Sequence, residues 1–382
     1  MARKSETHGH VTTTDINNNN STHNTLINNN NQQQYKSFKD SQYFKSPGNA
    51  PFGRSSSSSK RQTVSETTRI IFLCVIWYIL SSTGNVLNKY ILTNYLPGYA
   101  ITMSFSHLIV IVLVLPALHR LWRIPVAQSL SRRYTYRFII PLAIGKFMAS
   151  ISSQFSIYKI PVSYSHTIKA SMPIFTVIFT TVLMREKYSL RVWMSLLPIV
   201  FGVGIATVTE LRFNWMGMLS SLFATALFSL QNIFSKKVLK ETRMHHLRLL
   251  YLISRSAFAM LLPVWLLVDV MAMGSDEKLA ATHKNPLFTF ILLLLSGCIM
   301  FAQNIVAFTV ISLLTPLSYA VANAAKRIFV IIFSLVTLKN PVTSVNMFGM
   351  AVSICGVWVY NKAKISDQNL RKKRLQYTLR VK

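Results

Sequence analysis

Hydrophobic residues fall into a series of long runs that begins after Arg69, and short polar stretches separate one run from the next. Each run has about the 20 residues that an α-helix needs to cross the apolar core of a bilayer. The pattern predicts an all-α membrane protein with ten transmembrane helices. The predicted spans are residues 69 to 92, 98 to 118, 137 to 159, 162 to 184, 191 to 209, 214 to 235, 249 to 272, 287 to 312, 316 to 338 and 341 to 361.

Polar segments flank this predicted membrane domain, which covers residues 67 to 361. Residues 1 to 66 contain the runs NNNN, NNNNQQQ and SSSSS, a composition that offers too little apolar surface to fold. Residues 362 to 382 are strongly basic. We therefore expect a disordered N-terminal tail, one ten-helix domain and a basic C-terminal tail.

Positive charge is concentrated in the loops rather than on one soluble face. The chain has 41 Lys and Arg against 11 Asp and Glu, and the loops after the second, fourth and sixth spans hold many of these cations. Basic loops mark the cytosolic side of a membrane protein. The charge therefore indicates membrane orientation, with both termini cytosolic, and not a nucleic-acid partner. Cys74, Cys298 and Cys355 lie in apolar runs without metal-ligand spacing, so no metal or other cofactor is expected.

A faint internal repeat relates the two halves of the domain. The sequence GNVLNK at residues 84–89 resembles QNIFSK at 231–236, and PVSY at 161–164 resembles PLSY at 316–319. Spans one to five would then match spans six to ten. Because each half holds five spans, the halves insert in opposite senses, which predicts the 5+5 inverted repeat of secondary transporters.

The middle of the ninth span holds Lys326 and Arg327, roughly 15 Å from the start of the span. The span carries no carboxylate that could neutralise them. An ionisable residue inside a membrane is by default a candidate for function. The alternative is that both side chains extend to the membrane surface, across half of the bilayer.

The fourth span supplies a third cation, Lys169, one helical turn after His166 and on the same face. The repeat places Lys169 opposite Lys326 and Arg327. Three like charges in apolar surroundings repel one another, and a phosphate-like dianion would relieve this repulsion. A surface-seeking Lys169 and a packing role for His166 are the alternatives.

Uncharged polar side chains also lie within the spans. They include Ser150, Ser153, Gln231, Gln303 and Asn323. Hydrogen bonds between helices would explain each of them. Together they would also suit a ligand that carries hydroxyl groups.

Asp269 is the only acid within a predicted span. Carriers coupled to cations or protons normally need a buried carboxylate, so we expect exchange of anions rather than coupling to Na⁺ or H⁺. The spans also lack paired carboxylates, a metal-ligand cluster and a Ser/His/Asp arrangement. We therefore do not expect an enzyme.

Four segments carry a family resemblance: NVLNKYIL in the first span, VSYSHTIKASMPIFT in the fourth, NIFSKKVL in the sixth, and FAQNIVAFTVISLLTPLSYAVANAAKRIFVI across the eighth and ninth. They resemble the triose-phosphate translocator family, and within it solute carrier family 35, subfamily E, over about residues 69 to 361. The resemblance implies the drug/metabolite transporter fold and antiport of phosphorylated metabolites, commonly against inorganic phosphate, by alternating access. It also implies that Lys169, Lys326 and Arg327 hold the phosphate, assisted by Ser153.

The chain departs from this family at the other end of the substrate. Where plastid carriers place a His, an Arg and a Tyr, this chain has Ser150, Gln231 and Gln303. A neutral Gln231 argues against a second anionic group, so we expect a sugar phosphate or a similar compound; a nucleotide sugar is the alternative. His166, Tyr319 and Asn323 complete the predicted set of specificity residues.

The Asn-rich N-terminal tail does not resemble a plastid transit peptide, so we expect a multi-pass protein of the Golgi or endoplasmic reticulum membrane. The expected partners are a phosphorylated small molecule, its counter-anion and the lipid bilayer, with a homodimer allowed. A non-transporting membrane regulator of vesicle traffic that retains the fold is the competing hypothesis. Such a scaffold has no reason to keep three central cations.

Overall fold

The computed structural model describes residues 58–122, 131–275, 286–314 and 316–380, and every regular element within these ranges is a helix. The all-α class predicted from the apolar runs is therefore confirmed. The N-terminal tail predicted for residues 1 to 66 lies almost entirely outside the described residues.

Ten helical segments follow one another in the described ranges, and several are interrupted by a turn or by π-helical geometry. They are α1 (Ser58–Asn94), α2 (Ala100–Leu121), α3 (Arg132–Tyr134, Thr135–Ile139 and Ile140–Lys159), α4 (Val162–Lys169 and Met172–Met184), α5 (Leu190–Met194 and Leu197–Val208), α6 (Trp215–Thr242), α7 (His246–Trp265, Leu266–Val270 and Met271–Ser275), α8 (Pro286–Leu313), α9 (Pro316–Leu338) and α10 (Ser344–Arg380). Each predicted span overlaps one of these segments.

Nine of these segments in the described part of the chain are long and apolar enough to cross a membrane. α10 is not one of them, because polar residues such as Asn346, Ser353 and Asn361 dilute its apolar ones. The multi-pass character is thus confirmed, but the predicted count of ten spans is not. The helix is longer than the predicted span, since it continues from Ser344 through the basic segment to Arg380.

Prolines account for the interruptions in α4 and α5. Proline has no N–H, and its ring clashes with the carbonyl of the residue four positions earlier. Pro173 accordingly separates the two halves of α4, and Pro198 separates those of α5. The break in α4 directly follows Lys169. Broken helices at the substrate site are a common feature of secondary transporters.

The helices pack in pairs that follow the predicted repeat. α2 packs against α7, α4 against α9 and α5 against α10, and the members of each pair hold corresponding places in the two halves. α3 packs against α6 and α7, while α8 packs against α2 and, where Gly84 meets Ile299, against α1. Exchanging the two halves leaves the first three pairs unchanged and converts the two contacts of α3 into those of α8. This is the packing expected of two similar halves.

α5 and α10 approach so closely that their backbones nearly touch at glycines. A Cβ added to Gly349 would lie 2.7 Å from the backbone nitrogen of Ala206, and one added to Gly356 would lie 2.7 Å from that of Ile199. Small residues that permit such an approach are typical of membrane helix pairs. The less apolar α10 is therefore an integral part of the bundle.

A buried acid joins α7 to the beginning of α2. Asp269 accepts hydrogen bonds from the backbone N–H and the hydroxyl of Thr102, both at 2.7 Å. The indole N–H of Trp265 donates to the same hydroxyl at 3.0 Å. A carboxylate at a helix N-terminus satisfies otherwise unpaired N–H groups and interacts favourably with the helix dipole. The acid of the predicted seventh span is thus engaged by the protein itself.

Candidate functional site

Lys169 and Ser153 form the first contact of the site. The break before Pro173 ends the first half of α4 at Lys169, whose side chain is half-buried. Its ammonium donates a hydrogen bond of 2.9 Å to the hydroxyl of the buried Ser153 on α3. A single hydroxyl satisfies one of the three N–H donors of the ammonium.

α9 contributes Lys326 and Arg327, both half-buried. The ammonium of Lys326 lies 4.5 Å from the ring centroid of Trp77 on α1, a cation–π contact. The neighbouring Tyr78 donates a hydrogen bond of 2.8 Å to the carbonyl oxygen of Ala322, which fixes α1 against α9. An aromatic face attracts a cation without neutralising its charge.

The structure brings the three predicted cations together with His166. Arg327 lies close enough to Lys169 to act on it electrostatically, and both act on Lys326. His166 lies within electrostatic reach of all three. The buried imidazole Nε2 of His166 has no hydrogen-bond partner among the described residues. Because buried polar atoms are normally paired, this nitrogen is available to a ligand.

Carboxylates do not neutralise the two lysines. Neither Lys169 nor Lys326 forms an ion pair with an acid of the described ranges, where the ion pairs given by the structure join Lys237 to Glu241 and Arg371 to Asp367. In the same ranges no three His, Cys, Asp or Glu side chains are grouped so that they could hold a metal ion. The arrangement offers positive charge and N–H donors, which suits an oxyanion.

Gln303 has the clearest geometry among the predicted specificity residues. Its side-chain Oε1 is buried and accepts no hydrogen bond from the part of the chain that the structure describes. This oxygen lies 3.9 Å from the place that a Cβ of Gly84 would take, between α8 and α1. Gln303 thus presents an acceptor that a hydroxyl or amide donor could satisfy.

Gln303, Gln231, Ser150 and Asn323 form no hydrogen bond with Lys169 or Lys326 within the described residues. Gln231 lines a cleft of about 370 Å³ between α3 and α6, together with Arg137 and Lys237. Ser150 and Asn323 are half-buried. The backbone of Tyr319 lies in α9, but its side chain falls outside the described residues.

Sequence reasoning did not anticipate Trp77 as a neighbour of Lys326. The residue lies in an apolar run, where aromatic side chains are normally part of the helix packing. Its relation to Lys326 depends on α1 lying beside α9, a contact that crosses the two halves of the chain. The one signal in the sequence was the presence of a tryptophan within a predicted span. That signal does not show which residue the tryptophan contacts.

Comparison with known proteins places this arrangement in a family. A model of the triose-phosphate transporter family matches residues 68–361. Phosphoenolpyruvate/phosphate translocator 3 of Oryza sativa subsp. japonica is 31% identical over 310 residues, which cover 80% of this chain and 77% of the relative.

Two further relatives have similar sequence identities to this chain. The triose phosphate/phosphate translocator of Zea mays is 32% identical over 309 residues, covering 79% of this chain and 73% of the relative. A putative transporter of Schizosaccharomyces pombe is 30% identical over 309 residues, covering 78% and 67% respectively. With its multi-helix architecture and a family match over residues 68–361, the chain belongs to the triose-phosphate transporter family.

Proposed function

We propose that this chain is a secondary transporter, an antiporter that exchanges a phosphorylated organic metabolite such as a sugar phosphate for inorganic phosphate or a related anion. The observation that carries the proposal is the convergence of Lys169, Lys326 and Arg327 within one helix bundle. The plant relatives are named phosphoenolpyruvate/phosphate and triose phosphate/phosphate translocators, and these names support the same class of substrate.

Each cation has a distinct part in holding the phosphate. Arg327 supplies a planar guanidinium that can donate two parallel hydrogen bonds to an oxyanion. Lys169 and Lys326 supply point charges, and the bond to Ser153 sets the direction of the Lys169 ammonium. A phosphate dianion offers enough acceptors for all three and offsets most of their charge.

Exchange follows from the same electrostatics. Without an anion, three like charges lie in an environment of low dielectric, where their repulsion is much stronger than in water. The site closes most readily when an anion neutralises it, so a carrier that has released one anion has to bind another before it reorients. Asp269 is bonded to Thr102 and is not a coupling carboxylate in this proposal.

The uncharged residues favour an organic part that carries hydroxyl groups. The unpaired acceptor of Gln303 suits a hydroxyl better than a carboxylate, which only accepts hydrogen bonds, and the unpaired Nε2 of His166 can pair with a hydroxyl in either tautomer. Ser150 and Gln231 add no charge. A sugar phosphate therefore fits this end better than phosphoenolpyruvate, whose carboxylate has no hydrogen to donate to the acceptor of Gln303.

The location and orientation proposed are those of the Golgi or endoplasmic reticulum membrane with both termini cytosolic. The basic loops after α2, α4 and α6 support the orientation. The names of the plant relatives place those proteins in the chloroplast, so the Golgi or endoplasmic reticulum location stays a proposal for this chain. In this orientation residues 1 to 66 and 362 to 382 are cytosolic tails, and a homodimer stays a prediction.

The test is exchange by the purified protein in liposomes. Labelled phosphate should enter vesicles preloaded with phosphate or with a sugar phosphate, and uptake into empty vesicles should be close to background. Phosphoenolpyruvate should compete more weakly than hexose or pentose phosphates. Comparable uptake into empty vesicles would contradict exchange. Failure of every phosphate, sugar phosphate and nucleotide sugar to exchange would favour the regulator hypothesis.

A further inference from the structure

Lys89, near the end of α1, is held by the backbone of α3. Its ammonium donates hydrogen bonds to the carbonyl oxygens of Ile157 at 2.8 Å, Tyr158 at 2.8 Å and Ile160 at 3.2 Å. The last carbonyls of a helix have no partners within the helix and form the negative end of its dipole. The lysine thus uses all three donors to cap α3, and we call this contact the Lys89 clasp.

A ring of hydrogen bonds lies one residue away and joins four helices. Asn88 of α1 donates to Gln154 of α3 at 3.4 Å, and Gln154 donates to Nδ1 of His107 of α2 at 3.5 Å. His107 donates from Nε2 to Ser296 of α8 at 2.9 Å, and Ser296 donates to Asn88 at 2.6 Å. Since each group donates to the next, His107 is neutral and carries its hydrogen on Nε2.

The end of the bundle where α1 and α3 finish lies opposite the basic loops, and we call it the far end. The clasp and the ring lie in the last two turns of α1 and α3 before this end. α1 and α3 also carry Trp77 and Ser153, which contact the site lysines. Ile157 lies one helical turn beyond Ser153, so the clasp is placed between the site and the far end.

The other half of the repeat holds a lysine that is not engaged in this way. Lys236 of α6 corresponds in sequence to Lys89 and lies six residues before the last residue of its helix, as Lys89 lies five before the last of α1. Lys236 is exposed and donates no hydrogen bond within the described residues. The carbonyls that would correspond to those of the clasp are at the end of α8, which finishes at the basic end of the bundle.

We propose that the Lys89 clasp is the closed gate of the far end, and that Lys236 forms the equivalent clasp with the end of α8 when the site opens to the far end. The proposal rests on the transport function proposed above, because only a carrier needs the two gates in turn. A two-fold repeat can face opposite sides by exchanging the conformations of its halves. If the halves exchange conformations in this way, one of the two lysines should form its clasp while the other does not. The structure shows this asymmetry between Lys89 and Lys236.

The proposal predicts a change of access that is specific to one side. The test uses a protein with a single thiol on α1. Ser replaces Cys74, Cys298 and Cys355, and Cys then replaces Asn85, which lies one turn from Lys89 toward the site. In reconstituted protein, its modification by a membrane-impermeant methanethiosulfonate added at the far end should be slow. Lys89→Met should raise this rate at least about tenfold, since it removes the bonds that favour the closed population.

Two variants serve as controls. Lys236→Met should not raise the rate, because it weakens the opposite state. Lys159→Met removes an exposed cation from the same end of α3, where its ammonium lies 4.9 Å from the ring of Tyr158, and should also leave the rate unchanged. Equal rates in Lys89→Met and the parent protein, or equal increases in Lys89→Met and Lys159→Met, would overturn the proposal.

A second measurement separates the gate from the phosphate site. Thermal stabilisation by inorganic phosphate should persist in Lys89→Met. If phosphate does not stabilise the parent protein, the proposed function fails, whereas the comparison of labelling rates still decides the gate. Should Lys89→Met not fold, Lys89→Gln keeps two donors and should give a rate between those of Met and Lys; a rate equal to that of the parent would count against the clasp.

Discussion

Lys89 and Lys326 are both half-buried lysines within apolar helices, yet the protein treats them differently. Three backbone carbonyls surround the ammonium of Lys89. Lys326 instead faces the ring of Trp77 and lies within electrostatic reach of Arg327 and Lys169, which add positive charge. Lys169 has the hydroxyl of Ser153 as its acceptor.

The difference distinguishes Lys89, whose charge the fold satisfies, from Lys169 and Lys326, which we propose bind a ligand. The fold can satisfy a buried cation completely, as at Lys89, and a buried acid, as at Asp269. Lys169 and Lys326 have no such carboxylate or set of carbonyl acceptors within the described residues. In the proposed function, an anion from outside completes their arrangement with Arg327.

The largest expected effect is at Lys326. Lys326→Met removes a charge that contacts the phosphate in the proposed function, and loss of one partner of a buried charge pair costs about 2–5 kcal/mol. Phosphate exchange should fall at least roughly 30-fold, as about 2 kcal/mol implies. The variant without phosphate should be as stable as the parent or more so, because one of three repelling charges is gone. A stability loss without a loss of exchange would reverse the assignment.

Asp269→Asn should have the opposite effect to Lys326→Met, because the protein itself satisfies the charge of Asp269. We expect a loss of stability without a loss of exchange. The amide oxygen can accept both hydrogen bonds that Oδ2 of Asp269 accepts, but the negative charge at the N-terminus of α2 is lost, which costs about 0.3–1 kcal/mol and up to about 2 kcal/mol in partly buried geometries. Thermal or denaturant unfolding should show this loss of stability. Exchange per folded molecule should stay near that of the parent, and a pH gradient should not drive uptake in either protein. A selective loss of exchange would make Asp269 a transport residue.

Ser153→Ala should have an intermediate effect on the site. The ammonium of Lys169 loses the hydroxyl that orients it, and a hydrogen bond to a charged group contributes about 1.5–3 kcal/mol. The apparent KM for phosphate should rise several-fold, with a smaller change in maximal rate. Ser153→Thr retains the hydroxyl and should restore most of the affinity. Equal KM values in the Ala variant and the parent would exclude Ser153 from the site.

The smallest expected effect is that of Glu210→Gln on the pH dependence of the melting temperature. This buried carboxyl, beyond the end of α5, accepts hydrogen bonds from the backbone N–H of Arg212 at 3.2 Å and from Asn346 at 3.5 Å, yet burial raises its pKa above the ordinary 4.5. A raised pKa means that the stabilising contribution is present at low pH and is lost as the pH rises through the folded-state value. The melting temperature of Glu210→Gln should therefore change less with pH above about 4.5 than that of the parent. Identical pH profiles would show that this carboxyl is fully satisfied when ionised.

Much of the fold could be predicted because the length and hydropathy of an apolar run identify a membrane helix. The repeat of residues 84–89 and 231–236 also anticipated the pairing of corresponding helices. The tenth span was less well predicted, since Asn346 and Asn361 lower the hydropathy of a segment whose close packing depends on Gly349 and Gly356.

The candidate site could be predicted in part, because cations in apolar spans stand out in any sequence. Lys169, Lys326 and Arg327 were identifiable in this way. The Lys89 clasp was not, since its acceptors are backbone carbonyls, which every residue carries and no sequence pattern marks. The same limit applies to the cation–π contact of Trp77, which depends on how α1 and α9 pack.

Phosphate binding to the purified protein tests the central distinction most directly. Isothermal titration with inorganic phosphate should give saturable binding to the parent protein and to Lys89→Met, whose charge the fold itself satisfies. Binding to Lys326→Met should be at least roughly 30-fold weaker. Equal affinity in the parent and Lys326→Met, or a loss of binding in Lys89→Met that matches the loss in Lys326→Met, would contradict the account.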